Sequence, residues 1–273
     1  MVNKKQPNLY SQDWKMKKAY ICLCFFIIPV FCLSQKNDKY FFKGNININN
    51  NGIDWVPLFS RDKPSLIANF SLGKNRFSIN PLIRYELEGL QPWGVDIWWN
   101  YKVKQSGKLN FDLGGVLPGV INQNISVIDK NLPKTILQPW VSAIVNPTVS
   151  FAFSNAFKLS LSYYEIIPLK IVNKTQLEHG RVIILSPSIK QFLIMNKIFL
   201  NWIPIIYTVQ IEDTKTGIFS AQTINIGVKN FPFSISTVMN KPIYFGDLSG
   251  KKFDWNIGIN YTFALELVKP DNN

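Results

Sequence analysis

Between Phe253 and Phe263 the chain alternates without a break. Phe253, Trp255, Ile257, Ile259, Tyr261 and Phe263 are large and apolar, whereas Asp254, Asn256, Gly258, Asn260 and Thr262 are small or polar. Successive side chains of a strand point to opposite faces, so this segment has one oily face and one wet face. Aromatic residues stand at both ends of the oily face. About ten residues is what a tilted strand needs to cross a bilayer. Such a strand fits either a sandwich or a membrane wall, and the rest of the chain must decide between them.

The same period recurs from Tyr40 onward in about twelve strand-like segments. Phe42 to Ile48, Leu66 to Leu72, Phe77 to Leu87, Trp93 to Lys102, Leu109 to Gly114 and Phe157 to Tyr164 alternate. Trp140 to Phe153 is expected as the sixth strand. Arg181 to Met195 and Ile198 to Ile211 follow as the eighth and ninth, apolar on both faces in places. Strand ten ends in Ile224, Ile226 and Val228, strand eleven carries Phe231, Phe233 and Ile235, and Phe253 to Phe263 is the twelfth. No helix-period stripe breaks the series. The joins at Gly73-Lys74-Asn75, Lys104 to Lys108, Ser154 to Ala156, Asn196-Lys197 and Lys229-Asn230 are short, as tight hairpins require. They alternate with longer joins centred on Asn50 to Lys63, Gly119 to Thr135, Val172 to Gly180 and Asn240 to Lys252.

The N-terminus reads as an export signal. Met16-Lys17-Lys18 precedes the apolar stretch Ala19 to Leu33 and then Ser34-Gln35. Residues 1–34 are expected to be an extension and signal peptide, and 35–273 one barrel domain. All three cysteines (Cys22, Cys24 and Cys32) fall inside that segment. Residues 35–273 therefore offer no disulfide, no thiol nucleophile and no Cys-ligated metal. The formal charge of +13 becomes +9 without residues 1–34, with 25 Lys and Arg against 16 Asp and Glu.

A signal segment, aromatic-rich alternating strands and a last strand ending in Tyr261-Thr262-Phe263 resemble a bacterial outer-membrane β-barrel. The resemblance is architectural and covers residues 35–273; Ala264 to Asn273 extends past the terminal aromatic of that superfamily. It implies an all-β fold, a closed antiparallel transmembrane β-barrel of about 12 strands, with short periplasmic turns and longer extracellular loops. It also implies outer-membrane residence, contact with outer-membrane lipids including lipopolysaccharide, and recognition of the last strand by the barrel-insertion machinery. The last strand must then pair with Phe42 to Ile48 to close the wall.

A strand in lipid turns its polar set inward. Arg84, Glu86, Asp96, Lys102, Asp112 and Lys158 are accordingly the lumen and binding candidates, either filling the interior or lining a solute track. With Tyr85 opposite Val95, Arg84 would face Asp96. The shift by two that sets Glu86 against Asp96 juxtaposes like charges. Arg84 and Asp96 are therefore expected to meet inside. Trp93, Trp99, Tyr101, Trp255, Tyr261 and Phe263 are expected to form interfacial girdles. Basic loops suit lipopolysaccharide phosphates better than nucleic acid, given the compartment.

Three functions fit. The first is a narrow porin-like channel for small solutes, with a modest anion preference from the net charge. The second is a lipid hydrolase or lipid-modifying enzyme built on His179, the lone histidine; Ser186 and Ser188 are weakly placed for it, and no catalytic residue is assigned. The third is a structural or adhesive barrel whose outer loops, such as Asn50 to Lys63, bind a partner. No cofactor and no metal site is expected from one His and a Cys-free barrel segment.

Overall fold

The computed structural model describes residues 39–54, 60–129, 132–169 and 179–268. The expected signal segment and most of the loop before His179 lie outside the described residues. The strands are β1 (Lys39–Asn49), β2 (Ser65–Lys74), β3 (Phe77–Glu86), β4 (Gln91–Ser106), β5 (Leu109–Asp129) and β6 (Leu132–Ala152). They continue as β7 (Phe157–Pro168), β8 (Gly180–Ile194), β9 (Ile198–Ile211), β10 (Gly217–Val228), β11 (Phe233–Tyr244) and β12 (Asp254–Val268). Each pairs antiparallel with its chain neighbours, and β1 pairs with β12, so the sheet is a closed twelve-strand barrel. Closure removes the edge whose free N–H and C=O groups lipid cannot satisfy.

The closing seam shows how the alternation builds the wall. Phe42 lies opposite Leu265, Ile46 opposite Tyr261 and Ile48 opposite Ile259. On the outer surface the Phe42 and Phe263 rings meet edge to face at 5.4 Å. On the inner surface Asn47 donates to Asn260 at 3.0 Å and Asn45 donates to Thr262 at 3.0 Å. Oily contacts thus stitch the seam outside and amide hydrogen bonds stitch it inside.

The barrel is apolar outward and polar inward. On β12 the relative exposures of Trp255, Ile257, Ile259 and Tyr261 run from 39% to 61%, while Asp254, Asn256 and Asn260 are buried. A soluble barrel would show the reverse; this wall is built for lipid. Rings gather on the outer surface near the short turns: Phe153 stacks on Phe157 at 5.1 Å, and Phe233 lies 5.2 Å from Tyr261. Trp93 departs from the expected girdle. A β-bulge between Arg84 and Tyr85 takes Trp93 out of the ladder, and it is 1% exposed, packed inward.

Two further expectations are corrected. Gly119 to Thr135 is not a long loop. β5 and β6 run on as a two-stranded ribbon, with Asn122 opposite Pro139 and Asp129 opposite Leu132. β4 pairs with β5 only as far as Ile121, and β7 pairs with β6 only as far as Ser142, so the ribbon stands beyond the wall. A ribbon outside lipid needs no continuous oily face, so apolar alternation does not find it. The strict alternation of long and short joins also fails at residues 87–90, where β3 turns directly into β4.

Candidate functional site

The lumen has two halves. At the long-loop end it is filled. Arg84 lies directly opposite Gly94, not Asp96; the expected register is off by two residues, and Leu82 is the residue facing Asp96. The expected contact forms nevertheless. Gly94 leaves room above its backbone, where an added Cβ would sit 3.2 Å from Arg84 Nη2. Arg84 passes through that space and reaches the diagonal neighbour, so its Nη2 donates directly to Asp96 Oδ2.

The second partner of Arg84 comes from the loop between β1 and β2. Arg84 Nη1 donates to Asp54 Oδ2 at 2.8 Å. The guanidinium also lies 5.3 Å from the Trp93 ring centroid, a cation–π contact. Gly52 brings the loop backbone against Trp93; a Cβ there would meet the ring at 3.0 Å. Lys63 donates to the buried Glu86 at 2.6 Å, so a second ion pair ties the loop to β3. This bond raises the Lys63 ammonium above its usual value, and the bond to Asp62 does the same for Lys251. The loop expected to meet an outside partner therefore folds over the mouth of the barrel.

Across the lumen the filling is apolar. Val182, Ile184, Tyr207, Val209, Phe219 and Ala221 are buried together, and Phe245 and Leu248 from the β11–β12 loop pack on them. Tyr207 stacks on Phe219 at 5.3 Å and its hydroxyl donates to Asn240 at 3.1 Å. Asn240 in turn donates to the Asp54 carbonyl at 3.5 Å. Asp54 thus joins the charged side of the mouth to the oily side. Between the two loops a solvent-open cavity of about 290 Å³ is lined by Ser60, Asp62, Asn240, Ser249, Lys251 and Asp254. The sequence reading missed Asp54 and Lys63, because no local pattern marks a loop residue for an inward role, and it missed Asn240 by placing it in a loop, whereas it is an inward residue of β11.

Toward the short turns the lumen is hollow. Lys43, Asn69 and Lys102 have inward register and remain exposed. Lys102 faces Asp112 across β4 and β5, and Gln105 donates to Asp112 at 3.0 Å. Asp112 also lies within electrostatic reach of Lys158. The six candidates therefore divide into a filled trio, Arg84, Glu86 and Asp96, and a second trio in the hollow half, Lys102, Asp112 and Lys158.

His179 sits at the outer rim, 2.9 Å from Glu165, which also lies 3.7 Å from Arg181 and accepts from the Tyr163 hydroxyl. Ser186 lies opposite Ser160 on the lumen face, and Ser188 donates to the Lys158 carbonyl at 3.3 Å. The rim histidine and the lumen serines lie on opposite faces of the wall.

No protein-family model matches the chain, and no curated protein matches it. Solved structures similar to it are barrels. The NanC porin aligns over 81% of this chain and all of its own, with 9% identity and a TM-score of 0.47. The CymD monoaromatic hydrocarbon channel covers 86% of this chain and 90% of its own, at 8% identity and 0.45. The beta domain of the Bordetella autotransporter BrkA covers 83% and 99%, at 7% identity and 0.40. The fold stands on the chain's own closed antiparallel twelve-strand sheet, and no particular subfamily is singled out.

Proposed function

We propose that this protein is a narrow outer-membrane channel for small polar solutes, constricted at its mouth by the inward-folded β1–β2 loop. The observation that carries this reading is the hollow half of the lumen. In a barrel filled from end to end, inward polar side chains such as Lys43, Asn69 and Lys102 would be buried; here they stay exposed. Twelve strands lie between the eight that side chains fill and the sixteen or more that leave an open channel. The loop held by Arg84 and Lys63 then sets the narrowest point. Purified protein in a planar bilayer should give small discrete conductance steps, and Asp54→Ala should enlarge them. A wild type and a loop variant that both leave the bilayer silent would refute the channel.

A second reading rests on the His179–Glu165 pair at the rim. A carboxylate that orients a histidine is half of a relay for lipid chemistry. Loss of lipid turnover in His179→Ala, with conductance unchanged, would favour it.

A further inference from the structure

The charges of this barrel are sorted along its axis. Four of the five short turns carry a cation: Arg76, Lys108, Lys197 and Lys229. None of the five carries a carboxylate. Inside the same half, Lys43, Lys102 and Lys158 have inward register on β1, β4 and β7, and Lys190 stands in a β8 bulge beside Lys158. The carboxylates on that inward surface, among the described residues, are Asp112 and Glu266. The opposite end is different: Arg84 is neutralised by Asp54 and Asp96, Lys63 by Glu86 and Lys251 by Asp62.

Three of the lumen lysines gather. Lys158 lies opposite Ser188, and Lys190, in the β-bulge that follows Ile189, lies within electrostatic reach of Lys158. Lys102 and Lys158 flank Asp112. Asp112 serves Lys102 and Lys158, and Lys190 adds a third ammonium group beside Lys158, which leaves a local excess of positive charge. The surrounding inward residues are neutral hydrogen-bonding groups such as Ser160, Ser186 and Ser188. Register turns Lys102 and Lys158 away from lipid, so the headgroups around the barrel do not reach them. Lysine is a compact, movable point charge suited to phosphate and carboxylate oxygens.

We infer that the short-turn half of the lumen is a binding vestibule for multivalent oxyanions, with Lys102, Lys158 and Lys190 as its core. This deepens the channel reading in one respect, because it names the solute class; the vestibule itself would exist even in a barrel closed at its mouth. A mouth of ion pairs and a vestibule of unbalanced lysines make the lumen electrically one-sided. Small phosphorylated or polycarboxylated solutes concentrate at the short-turn end and traverse from there.

The test is titration calorimetry of the full barrel in a nonionic detergent with tripolyphosphate, and separately with citrate, at low salt. Saturable binding of tripolyphosphate is expected, weakened about tenfold or more by the triple change Lys102→Gln, Lys158→Gln and Lys190→Gln. Binding of citrate as well marks a general oxyanion site; tripolyphosphate alone marks a phosphate site. The turn triple Lys108→Gln, Lys197→Gln and Lys229→Gln should retain most of the affinity. Equal loss in the two triples would move the site to the rim and overturn the inference, as would no binding to wild type. Heat-modified gel migration reports whether each variant is folded; if the lumen triple fails to fold, Lys190→Gln alone should weaken binding severalfold. Bilayer recordings separate this inference from the channel reading. Binding without conductance upholds the vestibule and rejects the channel, and conductance without binding does the reverse.

Discussion

Arg84 shows what single residues do in this wall. It is buried and answers two carboxylates from different elements. Removing one partner of a buried ion pair costs about 3–5 kcal/mol, because the other charge is left uncompensated. Arg84→Ala should therefore lower stability toward urea in lipid vesicles by about 3 kcal/mol. Asp54→Asn keeps the Arg84–Asp96 contact and should cost about 1 kcal/mol; equal losses would mean the loop contact dominates. The ties of Lys63 and Lys251 give a pH signature. Both ammonium groups are held above the ordinary lysine value of 10.5, each by a hydrogen bond to a carboxylate. A raised folded value means that the tie is complete below 10.5 and is lost as pH climbs through the folded value. Conductance should be level from neutral to pH 10.5 and rise only above it; Lys63→Met with Lys251→Met should be high at neutral pH already. Opposite charges with inward parity made the meeting of Arg84 and Asp96 legible in the sequence. The register was not, because a bulge at Trp93 and an empty space above Gly94 are properties of the pair of strands, not of either one.

At the scale of elements, alternation reports what a strand touches. β12 was readable because its two faces meet different solvents. Ile259→Lys, on the lipid side, should cost about 2–4 kcal/mol of stability. The same residue placed by Thr262→Lys on the lumen side should cost less than about 1 kcal/mol. Comparable losses at both sites would deny that the two faces differ. β8 and β9 read as apolar on both faces for a reason visible only in three dimensions: inward Val182, Ile184, Tyr207 and Val209 build the oily side of the mouth. The β5–β6 ribbon was illegible for the opposite reason, since beyond Ile121 and Ser142 its strands pair only with each other, outside the wall. It follows that the ribbon is dispensable for closure. Deleting residues 123–138 and joining Asn122 to Pro139 through a short turn should leave a heat-resistant barrel on gels. Loss of that resistance would show that the ribbon braces the rim, where Arg61 donates to the Asn122 carbonyl.

For the whole molecule, the sorted charges make it consequential which end faces which compartment. With the short turns periplasmic, the lysine vestibule opens inward to the cell and the ion-paired mouth opens outward. With the opposite orientation, the anion site would face the medium. Both termini of the described wall, Lys39 and Val268, lie at the short-turn end, facing each other across the seam. A chain threaded from the periplasm should leave both ends there, and the tight hairpins with them. The cysteines at 22, 24 and 32 precede the first strand, so the barrel itself is a blank background for thiol labelling. Leu90→Cys, in the exposed β3–β4 turn, should react with a membrane-impermeant maleimide on intact cells. Asn155→Cys, in the exposed β6–β7 turn, should react only after the outer membrane is permeabilised. Labelling of Asn155→Cys on intact cells, with Leu90→Cys protected, would invert the barrel. The vestibule would then draw anions from outside the cell, and the β1–β2 loop would guard the periplasmic door instead of the outer one.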